Sequence, residues 1–168
     1  MNRRAYSEWE PRSLASLGTY LNGFAFKPQH WGENGLPIVR IRELLDPTVE
    51  PDRYEGPTAE PYLIEDGDLI FSWSATLAVV FWNRGPAYLN QHLFKVTPAP
   101  DVNVRFLHHL INYHLDRLAA KSHGTTMKHV PRGDLDRYLI RLPGLDEQGA
   151  IAELLDRAML LFDALAAT

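Results

Sequence analysis

Apolar and polar positions along this 168-residue chain follow two rhythms. Short apolar runs bounded by turn residues predict strands at 68–73, 77–82 and 92–97, with Asn83-Arg84-Gly85-Pro86 turning between two of them. Ile38-Val39-Arg40-Ile41-Arg42 alternates apolar with basic, which predicts a half-buried strand carrying Arg40 and Arg42 on the face opposite Ile41. Tyr138-Leu139-Ile140-Arg141-Leu142 predicts a last short strand ending at Pro143. The second rhythm is helical. Phe106, Leu107, Leu110, Ile111, Leu115 and Leu118 form a stripe over 103–122, with Asp101 or Asn103 as the cap and Gly124 as the stop. Trp9, Leu14, Leu17 and Leu21 also stand at roughly helical spacing within 7–22, interrupted by Gly18.

The chain end reads as a separate element. Asp146 stands at an N-cap position, and Ile151, Leu155, Ala158, Phe162 and Leu165 follow a 4-3-4-3 spacing. That is a heptad seam, widened by Leu154 and Leu161, on a helix of about 30 Å. Such a seam packs on its own domain, or docks a partner or a second copy; both readings stay open. The division predicted is a domain over 1–145 and a helix over 146–168. Between them in character is the stretch holding Pro47, Pro51, Pro57 and Pro61, with Pro37 just upstream, which predicts an extended surface excursion rather than helix or central strand.

Composition adds boundaries. A 45% hydrophobic share supports one core, and the absence of cysteine removes disulfides, thiolate metal sites and a cysteine nucleophile. Met1-Asn2-Arg3-Arg4 lacks an apolar run behind it, and no window reaches the ~18 apolar residues of a membrane span, so a soluble, cytoplasmic protein without membrane contact is expected. The net charge of −4 is unevenly spread. Residues 1–42 carry six Lys/Arg against three Asp/Glu, 43–68 one against nine, 69–145 nine against four, and 146–168 one against five. Solvated surface accounts for such blocks, yet a ligand responds to the field of one face rather than to the total.

Most catalytic signatures are missing: no phosphate-binding glycine loop, no dinucleotide fingerprint, and no Gly-x-Ser-x-Gly around Ser72 or Ser74. A Pro-Pro-aromatic tetrapeptide and a nuclease carboxylate-Lys cluster are absent too. His108, His109 and His114 fall on different helix faces, which suits solvated histidines better than a metal. The chain is expected to have no catalytic residues and no metal. What remains suits recognition. Ser72, Trp73, Ser74 and Thr76 cluster at a strand end, where they could meet bases and phosphates or simply close a turn. Asn90, Gln91 and His92 could read adenine or tie down a loop. Gly124-Thr125-Thr126-Met127-Lys128-His129 suits phosphate contact, or a plain helix exit. Trp31, Trp73, Trp82 and Tyr88 leave a carbohydrate or small-ligand module as a weaker reading.

Taken together, these segments resemble a target recognition domain of the specificity subunits of type I restriction-modification systems. The parallels run from Trp9…Leu14…Leu17-Gly18 through Gly35-Leu36-Pro37-Ile38-Val39-Arg40-Ile41 and Gly67-Asp68-Leu69-Ile70-Phe71-Ser72-Trp73-Ser74. They continue with Asn90-Gln91-His92-Leu93-Phe94-Lys95-Val96, Gly124-Thr125-Thr126-Met127-Lys128-His129 and Leu142-Pro143-Gly144-Leu145-Asp146-Glu147-Gln148. Ala75 and Ala78 stand where the family has glycines, and Gly144 where it has a second proline.

The resemblance implies an α+β fold: a mixed, strongly curved sheet with packed helices, then a C-terminal spacer helix. It implies a subunit without catalytic activity that reads double-stranded DNA as one half-site reader. Lys27, Arg40, Arg42, Lys128 and Arg132 would contact phosphates or guanine. Ser72, Trp73, Ser74, Thr76, Asn90, Gln91 and His92 would lie nearer the bases, with Thr125, Thr126 and His129 alongside. The methyltransferase subunit, and a restriction subunit, would be partners, and S-adenosylmethionine and ATP would belong to them. Ile151, Leu154, Leu155, Ala158, Leu161, Phe162 and Leu165 would form the protein interface, for docking or for a homodimer reading a symmetric interrupted site. The alternative is a scaffold or anti-restriction partner that acts through the terminal helix without reading DNA.

Overall fold

The computed structural model describes residues 9–57, 59–121, 128–130 and 132–166. Its strands are β1 (Glu10–Ser13), β2 (Gly18–Asn22), β3 (Trp31–Gly32), β4 (Leu36–Val39), β5 (Arg53–Tyr54), β6 (Leu63–Ile64) and β7 (Leu69–Ser72). They continue as β8 (Ser74–Ala75), β9 (Ala78–Phe81), β10 (Ala87–Leu89), β11 (Leu93–Pro98), β12 (Lys128–His129) and β13 (Leu139–Leu142). The helices are α1 (Ile41–Leu45), α2 (Val104–Lys121), α3 (Arg132–Arg137) and α4 (Leu145–Ala166).

Two sheets form the body, and the fold is α+β with mixed strand directions. An antiparallel sheet runs β2-β11-β7-β9, and a five-stranded sheet runs β3-β5-β4-β10-β6 with β4 and β10 parallel. All four residues of β7 are buried, so both faces of that strand are covered. Its alternation divides them between two cores. Leu69 and Phe71 join Phe94 and Val96 of β11 and, from α2 on one side, Phe106, Leu107 and Ile111. Ile70 joins Leu93, Leu89, Val39 and Trp82, toward the five-stranded sheet. Asn103 caps α2, its Oδ1 accepting from the amides of Arg105 at 3.0 Å and Phe106 at 3.1 Å.

Four expectations need correction. Within the segment expected over 7–22, the described residues 9–22 form no α-helix: β1 pairs with β13, Leu14–Leu17 make a single 3-10 turn, and β2 joins the antiparallel sheet. The strand at 38–42 stops at Val39, because the Glu43 carboxylate accepts from the Arg40 amide at 3.1 Å and opens α1 there. Arg40 and Arg42 therefore share no strand face. The proline-rich excursion contributes β5 to the interior of the five-stranded sheet, with Tyr54 buried among Phe26, Ile38 and Tyr88. Finally, α4 begins at Leu145, so Asp146 lies in its first turn rather than at its cap.

Helix α4 divides into two halves. In the first, Gln148 and Ala152 are buried, and Arg105 and His109 of α2 both bond Asp156, His109 Nε2 at 2.5 Å. Beyond it, Leu160, Leu161, Phe162 and Leu165 are uncovered, Phe162 being 72% exposed. Of the expected seam, Ile151 and Ala158 are half-buried, while Leu154, Leu155, Leu161, Phe162 and Leu165 are exposed.

Candidate functional site

Six strands have an end on one edge of the molecule. Ser72, at the end of β7, lies opposite Leu93 at the start of β11 and Ala78 at the start of β9, while Asn22, at the end of β2, faces Phe94. In the second sheet β4 and β10 run side by side, and past their ends the Asn90 amide donates to the Val39 carbonyl at 3.0 Å. The Gln91 amide donates to the Phe24 carbonyl at 3.1 Å, and Asn22 Nδ2 donates to the Gln91 carbonyl at 3.3 Å. The chain after α2 returns to the same edge. There Lys128 pairs with Ala75 and His129 with Ser74, and the Val130 amide donates to the Trp73 carbonyl at 2.8 Å.

Within this edge the polar residues divide by burial. Ser72 and Asn90 are corrections: both are buried and hold the edge in shape rather than facing out. The Ser72 hydroxyl donates to the Thr76 carbonyl at 2.6 Å, because β7 is covered on both faces and its last side chain points inward. Asn90 Oδ1 lies 3.5 Å from the His92 amide. Trp73 is half-buried against the main core, its ring 5.6 Å from Phe94 and 6.0 Å from His92. Outward lie Thr76 and His92, with Ser74 and Gln91 half-buried; Ser74 Oγ and His92 Nδ1 are 3.4 Å apart. Ala75 holds φ at 56°, a left-handed conformation that a glycine would adopt freely. Thr125 and Thr126 lie outside the described residues, and Arg132 opens α3.

The basic candidates continue from this edge along α1. Arg40 follows Val39 directly; its Nη1 is 2.9 Å from Asp52, and its guanidinium lies 5.3 Å from the Trp31 ring centre. Arg42 donates through Nε at 3.1 Å and Nη2 at 2.7 Å to one oxygen of Glu43, whose hydrogen bond raises the guanidinium pKa above its ordinary value. Lys27 is exposed beside the 3-10 turn Pro28–His30. Thus the acidic block at 43–68 is not simply solvated surface. Glu43 and Asp52 compensate the two arginines, and Asp68 pairs with Lys95 at 2.7 Å. Sequence reasoning missed Asp52 because its approach to Arg40 is tertiary, and Glu43 because its bonds to Arg40 and Arg42 form only once α1 replaces the expected strand. It named Trp31 only as an aromatic, yet this ring is 42% exposed beside Arg40.

The other candidate clusters disperse. Trp82 is buried at the opposite end of β9 from Trp73, stacked under Arg84 at 4.3 Å, so the tryptophans make no common platform for a sugar. His109 bonds Asp156, His114 bonds the Tyr138 hydroxyl at 2.9 Å, and His108 bonds Asn112 at 3.0 Å. Among the described residues no group of three His, Cys, Asp or Glu side chains is placed to hold a metal, and no helix is long and apolar enough to cross a membrane.

Comparison with known proteins agrees with this architecture. The family model for the type I restriction modification DNA specificity domain matches residues 6–165. The specificity subunit of the type I restriction enzyme EcoBI of Escherichia coli is 32% identical over 161 residues, which is 94% of this chain and 34% of that protein. The chain therefore spans about a third of that relative. The HsdS subunit of Thermoanaerobacter tengcongensis shares the fold with a TM-score of 0.68 at 20% identity, over 94% of this chain and 39% of that one. The S subunit of a type I restriction-modification system of M. genitalium does so with a TM-score of 0.67 at 16% identity, over 99% and 42%.

Proposed function

This chain belongs to the type I restriction modification DNA specificity domain family, and on that premise we propose that it reads a sequence in double-stranded DNA without catalysing a reaction. The observation that supports this reading is the meeting of Ser74, Thr76, Gln91 and His92 with the backbone of Lys128–His129 on one edge, continued by Arg40 and Arg42. Such an edge offers hydroxyl and imidazole groups to base edges, and guanidiniums to a base edge or to the flanking phosphates. Contacts to bases carry the sequence information, and contacts to phosphates set the register.

In this reading the chain acts in the cytoplasm as a targeting component. It needs no cofactor of its own; S-adenosylmethionine and ATP serve partner subunits that methylate adenine and translocate or cut DNA. The distal half of α4, with Leu161, Phe162 and Leu165 uncovered, is the contact for the methyltransferase subunit or for a second copy of the chain. Two copies joined there would present two readers to a symmetric interrupted site.

Selection from a random duplex library tests the proposal. The expected outcome is enrichment of a short motif, with an affinity that falls steeply as salt rises. Recovery of no motif, together with salt-independent binding, would leave the scaffold reading in its place.

A further inference from the structure

We propose that Glu43 is a positioning residue that holds Arg42 for bidentate contact with a guanine; the inference rests on the DNA-reading function above. Glu43 is a carboxylate 3% exposed, placed by the first turn of α1 beneath two arginines. One of its oxygens accepts from the Arg40 amide at 3.1 Å, and the other accepts from Nε and Nη2 of Arg42 at 3.1 and 2.7 Å. The Arg42 side chain is nevertheless 65% exposed. A guanidinium has five N–H donors in a rigid plane, and this contact occupies its inner edge. The Nη1 pair and the second Nη2 hydrogen remain on the outer edge, where they match two neighbouring acceptors.

The charge balance selects between the two acceptor pairs that DNA offers. Phosphate binding draws on net positive charge and tolerates a freely swinging side chain. Here Glu43 and Asp52 face Arg42 and Arg40, so two carboxylates offset two guanidiniums while fixing their direction. That arrangement weakens attraction to a phosphate and favours aim, which suits the uncharged O6/N7 edge of guanine in the major groove. Its place is also suitable: α1 begins two residues beyond Val39, whose carbonyl accepts from the Asn90 amide on the reading edge.

The experiment uses the full chain and the duplex that it selects. Fluorescence anisotropy would give Kd for the wild type, Glu43→Gln and Arg42→Lys on that duplex and on an unrelated one. Each guanine would then be replaced in turn by 7-deazaguanine, which lacks the N7 acceptor. Glutamine keeps the acceptor for the Arg40 amide but removes the charge, so a melting curve should show Glu43→Gln folded. Both variants should bind the selected duplex about 10- to 100-fold more weakly. At one guanine, the 7-deaza substitution should then cost the variants little more. Binding of Glu43→Gln to the unrelated duplex should hold or tighten, since a negative charge has left the DNA-facing side.

Equal weakening on both duplexes, or no guanine coupled to either variant, overturns the proposal. If Glu43→Gln does not fold, Arg42→Lys on the same duplexes decides alone. A wild-type chain that selects no sequence would instead overturn the DNA-reading function itself, a result distinct from a selective wild type with indifferent variants.

Discussion

Gln148 ties the terminal helix to the domain, and removing its amide should loosen that joint. The side chain is 1% exposed. Its Oε1 accepts from the Asn103 amide at 2.8 Å, and its Nε2 donates to the carbonyls of Asp101 at 3.0 Å and Pro143 at 2.9 Å. One side chain thus joins the cap of α2, the turn before it and the end of β13. Three bonds at about 1 kcal/mol each, in a site where lost partners stay buried, give roughly 2–4 kcal/mol for Gln148→Ala. At 2–4 °C per kcal/mol for a chain of this size, the melting temperature should fall by roughly 5–15 °C.

Gln148→Glu sharpens the test. At neutral pH its carboxylate would accept from Asn103 but face two carbonyl oxygens, so this variant should be the less stable of the two. Repulsion and burial would raise its folded pKa above the unfolded value, so its deficit should shrink as pH falls through that raised value. Urea titration followed by far-UV circular dichroism measures both. A Gln148→Ala loss below ~1 kcal/mol, or a Gln148→Glu variant as stable at pH 8 as the wild type, would refute the reasoning.

Ala75→Gly should stabilise the chain by about 0.5–1 kcal/mol, because relief of the left-handed strain outweighs the added unfolded-state freedom; a lower melting temperature would contradict this. Desolvation pushes the Asp156 pKa up, but the bonds from His109 and Arg105 outweigh it and hold the carboxyl below its ordinary value. Its contribution is therefore complete above about pH 4 and lost as pH falls through the lowered value, and Asp156→Asn should flatten stability curves in that acid range. Burial, aided by the neighbouring His109, lowers the His108 pKa, and burial, aided by Arg117, lowers that of His114. For both, stability is complete above the unfolded value near 6.5 and falls as pH drops through the folded one; urea midpoints at pH 7.5 and 5.5 should show the loss, and His108→Gln should reduce it. Leu161→Asp with Phe162→Asp should leave the melting temperature within about 2 °C; if α4 joins two copies as proposed, light scattering should show the wild type as a dimer and this variant as a monomer.

The parts of the fold that were legible are those where one chain segment carries its own periodic signal. The stripe on α2 and the apolar runs of β7, β9 and β11 are of this kind, and the observed elements lie within a residue or two of the expected ones. Segments stabilised from afar were not. Trp9, Leu14, Leu17 and Leu21 are spaced like helix residues, yet only Leu14–Leu17 turn, as a 3-10 turn between β1, held by β13, and β2, held by β11. Strands of two residues, such as β3 and β5, are too short to have a period. At the site the residue types were legible, but their direction was not. Ser72 and Ser74 read alike in sequence, whereas packing on both faces of β7 turns the first inward and leaves the second at the edge. The switch at Arg40 was hidden because it depends on a carboxylate three residues on.

Site-specific photocross-linking addresses the account most directly. His92 is exposed on the proposed reading edge, whereas Glu10 is exposed on β1, at the end of the molecule where Gly18 pairs with Pro98. A benzophenone side chain introduced at each position, with the selected duplex bound, should cross-link to DNA from position 92 and not from position 10. Cross-links from position 10 alone, or equally from both, would contradict it.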